Sequence, residues 1–121
     1  MTAAMGTSLW LAPEIILCRQ DYDQFADIYS LGVVLSELDT HQLPYEDLVG
    51  PSGARLNAVT VVHAVGNGTL RPTFSDTCPR ELEDLAHRCL DFDPARRPTA
   101  NAVMHALSGI MAWHQSHRIS C

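Results

Sequence analysis

Lysine is absent from the 121 residues, and all eight basic side chains are arginines. A Walker P-loop needs its lysine and an imine-forming enzyme needs an amine. A nucleotide site built round a strand lysine needs that ammonium on the α- and β-phosphates. None of these can be assembled from this sequence. Positive charge is scarce as well: fourteen acids against eight arginines leave a net charge of −6. The basic footprint required for nucleic acid or an anionic membrane is therefore missing. Long apolar runs are lacking too. Residues 28–38 form the longest one, too short and too interrupted for a bilayer, and residues 9–18 are broken by Pro13 and Glu14 with no basic leader before them. The four cysteines, Cys18, Cys78, Cys89 and Cys121, make no C-x-x-C pair and no common zinc spacing. A chain of this size builds a core without disulfides, so they read as reduced thiols of a cytoplasmic protein.

What is present is ordinary globular composition, 46% hydrophobic and 18% charged, enough for one compact domain and not for two. Residues 25–38 read FADIYSLGVVLSEL, apolar nearly all round a helical wheel, which predicts a helix buried on most sides. Asp21 or Asp23 is placed to cap it. Gly32 in its middle predicts close packing against another backbone, since glycine there costs about 1 kcal/mol relative to alanine. Residues 40–55 hold Pro44, Gly50, Pro51 and Gly53 and read as a loop. In residues 56–65, Leu56, Val59 and His63 fit helical spacing against the strand propensity of residues 59–62. The helix is favoured because Gly66 and Gly68 stand where it would stop. Pro79 suits a first helical position with Thr77 or Cys78 as cap, and Leu82, Leu85, Ala86, Cys89 and Leu90 then draw one face. Asp93-Pro94 ends that helix, and Thr99 can cap the last one, where Val103, Met104, Leu107, Ile110 and Met111 share a face. The polar tail after Trp113 is expected to fray. The fold class is all-α: four main helices, a short helix after Pro13, and long loops.

Three patterns now stand in order: GTSLWLAPE at residues 6–14, DIYSLG at residues 27–32, and CLDFDPARRPT at residues 89–99. At these gaps they resemble the second half of the C-lobe of a eukaryotic protein kinase, closest to the tyrosine-kinase-like group of Ser/Thr kinases. Leu43-Pro44-Tyr45, Arg71-Pro72 and Cys78-Pro79 fit the same group. The resemblance covers roughly residues 5–112. It implies residues 1–5 as the end of an activation segment, residues 6–112 as a partial C-lobe, and residues 113–121 as a polar tail, with no N-lobe.

The resemblance also implies roles. Glu14 and Arg97 correspond to a buried bidentate ion pair that ties the activation segment to the base of the lobe. Asp27 corresponds to the acid that holds the catalytic loop through backbone N–H groups, although a helix-dipole acid is the plainer reading where no such loop exists. Gly6, Thr7, Ser8, Leu9 and Trp10 match the substrate-positioning segment, and Gly6-Thr7 favours Ser/Thr over Tyr acceptors. Thr2 lies where activation-loop phosphorylation occurs in such kinases. For the complete domain the resemblance implies ATP and Mg²⁺, with protein substrates as partners and no nucleic acid or membrane.

Phosphoryl transfer needs a Gly-rich loop, a strand lysine, an H-R-D-x-x-x-x-N loop and a D-F-G. Gly66-Asn67-Gly68 lacks the third glycine, which is Arg71. Asp91-Phe92 is followed by Asp93, His87-Arg88 by Cys89, and His117-Arg118 by Ile119. No catalytic residue and no metal ligand set is assigned; His114 and His117 make two ligands at most. The sequence therefore reads as part of a Ser/Thr kinase domain, inactive by itself and marginal in stability where residues 25–38 lack their cover. The alternative is a non-catalytic kinase-like module that docks protein partners, including a separately supplied kinase half.

Overall fold

The computed structural model describes residues 9–17, 23–45, 53 and 57–118. Among them the fold is all-α, and no helix is long and apolar enough to cross a membrane. Helix α1 (Pro13–Ile16) is one turn, followed by α2 (Gln24–Thr40), α3 (Ala58–Gly66), α4 (Arg80–Cys89), a 3₁₀ turn (Pro94–Arg96) and α5 (Ala100–Arg118).

Helix α2 is the axle of the fold. Asp23 caps it, its side chain accepting from the Ala26 N–H at 3.0 Å. On one side Ala26, Tyr29 and Val33 join Ala12, Val61, Val65 and Leu90 in a core that includes α3. On another side Ile28 joins Leu85, Cys89 and Val103 from α4 and α5. Burial on two sides is why its apolar residues show no single stripe. A third face stays open: Asp27 is exposed, Val34 is 37% exposed and Leu38 65%.

Several boundaries differ from the periodicity. The α2 helix runs two residues past Leu38 and ends on His41 in the left-handed conformation, φ 59°. That conformation usually takes glycine, so the sequence gives no stop signal there. In α3 the buried pair is Val61 and Val65, whereas Val59 is 65% exposed and His63 is exposed. Helix α3 packs against α1, and the i, i+4 pair starting at Val61 is the one turned to it. Gly66 is the last helical residue, and the chain turns at Gly68 with φ 79°. Pro79 stands at the cap position of α4, one residue before the helix, and neither Thr77 nor Cys78 supplies a capping side chain. Thr99 caps α5, accepting from the Ala102 N–H at 3.1 Å. Its core side is Val103 with Ala106, Leu107 and Ile110, while Met104 and Met111 face solvent. Helix α5 continues to Arg118 instead of fraying after Trp113, since no proline or glycine follows Gly109. Cys78 and Cys89 are buried free thiols, burial pushing both up to about 11; Cys18 and Cys121 lie outside the described residues.

Gly32 faces side chains and not another backbone. A Cβ there would sit 2.8 Å from Leu90 Cγ and 3.1 Å from Cys89 Cβ. Gly32→Ala gains about 1 kcal/mol of helix propensity but forces Leu90 and Cys89 apart, an overpacking cost of about 1–3 kcal/mol. A lower melting midpoint is the expected net result. A variant that melts at or above the parent temperature would mean that α4 moves away freely.

Candidate functional site

The centre of the molecule is the side chain of Arg97, whose residue is 4% exposed. Nη1 donates to Glu14 Oε2 at 2.7 Å and Nη2 to Glu14 Oε1 at 2.8 Å, a bidentate fork. Nε donates to the Asp91 carbonyl at 2.8 Å, Nη1 also to the Phe25 carbonyl at 2.8 Å, and Nη2 to the Phe92 carbonyl at 3.5 Å. Guanidinium carries five N–H groups, and these contacts account for them. The guanidinium carbon Cζ lies 5.0 Å from the ring centroid of Tyr29, a cation–π contact. Local sequence makes this possible. Pro13 opens α1 and sets Glu14 in its first turn. The Asp91 carboxylate accepts from the Asp93 N–H and Asp93 from the Ala95 N–H, which turns the chain so that Arg97 points inward.

Next to this pair the segment before α1 is fastened to α2. The Ser30 hydroxyl donates to the Trp10 carbonyl at 2.7 Å, and the Trp10 indole N–H to Glu37 Oε1 at 3.3 Å. Leu9 and Trp10 also pack on the core shared with α3. Thr2, Gly6, Thr7 and Ser8 lie outside the described residues. Asp27 is in the first turn of α2, exposed, and its carboxylate has no hydrogen bond among the described residues. Arg97, Glu14 and the Trp10 segment are thus brought together; Asp27 stands apart on the open face.

Motif reading missed the Trp10–Glu37 and Ser30–Trp10 links and a pair of buried phenols. Burial pushes Tyr29 up to about 12, with the Tyr45 hydroxyl lowering it less strongly; Tyr45 is pushed higher still by burial. Neither hydroxyl has a hydrogen-bond partner of good geometry among the described residues. No periodic signal marks such a pair, because Tyr45 reaches its place through a loop position with φ 63°.

Among the described residues no group of three His, Cys, Asp or Glu could hold a metal ion. Gly66 is the last residue of a helix with Asn67 and Gly68 just after it, and the space beside Gly68 is filled by Phe92, 3.0 Å from where a Cβ would be. No phosphate cradle exists there.

Comparison with known proteins gives a consistent picture. Residues 1–107 match the family described as protein kinase domain. A probable serine/threonine-protein kinase of Dictyostelium discoideum is 32% identical over 110 residues, 91% of this chain and 11% of that protein. Mitogen-activated protein kinase kinase kinase 7 of Homo sapiens is 31% identical over 113 residues, 93% of this chain and 17% of that protein. Dual specificity protein kinase shkA of Dictyostelium discoideum is 33% identical over 108 residues, 89% of this chain and 19% of that protein. The chain thus spans less than one fifth of the length of these relatives.

Two outcomes are expected from this geometry. Glu14→Gln and Arg97→Met each lower the unfolding free energy by about 3–5 kcal/mol, because each leaves a buried charge or donor set unpaired. The double variant loses clearly less than the sum, and additive losses in urea melts would show that the side chains act independently. Tyr29 gives a pH signature. Its folded value of about 12 lies above the ordinary 10.0, so its contribution is complete below pH 10 and is lost as pH rises through 12. Stability measured across that window should fall less steeply in Tyr29→Phe than in the parent; identical slopes would place the phenol in water.

Proposed function

We propose a function from one premise: the chain belongs to the protein kinase domain family. It supplies the substrate-docking base of a Ser/Thr kinase domain, in which the γ-phosphate of ATP passes to a protein hydroxyl once ATP and Mg²⁺ are held elsewhere in the complete domain. The subgroup is the tyrosine-kinase-like one, on Leu43-Pro44-Tyr45, Arg71-Pro72 and Cys78-Pro79. Residues 6–112 form the partial C-lobe. Gly6, Thr7, Ser8, Leu9 and Trp10 position the acceptor, Glu14 and Arg97 fix that segment to the lobe, and Asp27 anchors the catalytic loop. Thr2 is a phosphorylation site in the segment before them.

The observation that carries this reading is the family match over residues 1–107. The open face of α2 supports it. Asp27, Val34 and Leu38 share that face at helical spacing, two of them exposed apolar residues and one a carboxylate without a hydrogen bond among the described residues. A further segment with backbone N–H groups to offer fits such a face. A docking module that worked by itself would carry polar residues at Val34 and Leu38, so the non-catalytic reading is second.

The isolated chain neither binds nucleotide nor transfers phosphate in this reading. Purified chain incubated with Mg²⁺ and γ-labelled ATP should label no serine- or threonine-containing protein, and ATP should not shift its melting midpoint. Label that persists after contaminating kinase is excluded would overturn it.

A further inference from the structure

At the far end of α2 a cleft of about 330 Å³ opens between the last turn of the helix, residues 42–45 and residues 72–77. That volume is at the small end of the range of about 300–1,000 Å³ for ligand sites, enough for one or two side chains. Its fixed polar group is Asp39. One carboxylate oxygen accepts from the Ser75 N–H at 2.6 Å and the other from the Ser75 hydroxyl at 2.9 Å. Both donors are neutral. No Lys, Arg or His is among the described residues lining the cleft.

The placement of Asp39 is electrostatically unfavourable. The carbonyl end of a helix favours cations, yet α2 ends with Glu37 and Asp39 and has no basic residue in its last turn. Glu37 meets only the neutral Trp10 indole among the described residues. The chain cannot draw on lysine, having none, and carries a net −6. A carboxylate has about four lone-pair sites, so Asp39 retains acceptor capacity beyond the two Ser75 bonds. Around it Thr40 and Thr77 add hydroxyls, and Leu43 and Phe74 supply apolar walls. His41 and Tyr45, both at positive φ, bracket the segment that forms one wall.

We propose that this cleft receives a basic side chain, flanked by an apolar residue, from a segment of a protein partner. The guanidinium or ammonium sits against Asp39 at the carbonyl end of α2, and the apolar neighbour lies on Leu43 and Phe74. This surface is separate from the Glu14–Arg97 centre and from the open face of α2, and the inference does not depend on the kinase reading.

The test uses the full chain and two probes of the same shape, acetyl-leucyl-arginyl-leucine amide and its uncharged citrulline counterpart. The arginine peptide should bind and move the amide resonances of residues 36–45 and 72–77. Loss of a charge-assisted hydrogen bond should make the citrulline peptide weaker by about tenfold or more. In Asp39→Asn the difference between the two peptides should vanish. Should that variant fail to fold, Thr77→Arg decides: an internal guanidinium at the exposed rim should displace the arginine peptide. Equal binding of the two peptides, resonance changes elsewhere, no binding of the arginine peptide, or unchanged binding to Thr77→Arg would each overturn the proposal.

Discussion

One guanidinium organises this molecule. Arg97 reaches the acid of α1, the first turn of α2 and the carbonyls of the chain that enters the 3₁₀ turn, and nothing but an arginine satisfies all of these at once. A lysine would offer three donors from a single point and could not form the fork. The surrounding features follow from that requirement. Pro13 presets the turn that carries Glu14, Asp91 and Asp93 shape the approach of Arg97, and Tyr29 covers the face of the cation. Each is a local device whose sense lies in placing one side chain among five acceptors.

Helix α2 carries the second constraint. It is packed on the α1–α3 side and on the α4–α5 side, and Gly32 lets Leu90 and Cys89 approach it closely. Apolar area buried on two sides stabilises the helix at about 25 cal/mol per Å² and leaves its remaining face free for another role. Asp27 and Leu38 on that face therefore do not reflect weak packing. Beside Asp27, Ala26 is fully buried and Ile28 is buried as well.

The helices were legible because apolar spacing reports burial, and α2, α4 and α5 each have enough of it. Spacing fails where burial is partial. It offers Val59 as readily as Val61 and Met104 as readily as Val103, because both members of each pair are apolar and only the position of the neighbouring helix chooses. The end of α2 was illegible for another reason: a histidine took the left-handed position that glycine usually announces. No local pattern joins Glu14 to Arg97, 83 residues apart. The resemblance of the three motifs to the kinase family names both residues, while the physical chemistry of either taken singly suggests a solvated surface charge. The Asp39–Ser75 contact, 36 residues apart, had no motif to announce it, and its single sequence trace was an acid at the wrong end of a helix.

A buried ion pair is a poor device for stability alone, since well-packed apolar residues of similar volume often serve as well or better. Its advantage is geometric. An apolar contact between α1 and the 3₁₀ turn would tolerate sliding, whereas a two-bond fork has one register and one plane. The neighbouring bonds share that character: Ser30 holds the Trp10 carbonyl and Glu37 holds the indole, so residues 9–14 are fixed by directional contacts to α2 at Trp10 and to Arg97 at Glu14. The polar bonds thus lie along the segment that leads into α1, and the apolar cluster shared with α3 lies beneath it. A segment that must keep one orientation on the helices beneath it requires that division. Bulk burial supplies the free energy of folding, and a few directional bonds specify where that segment lies.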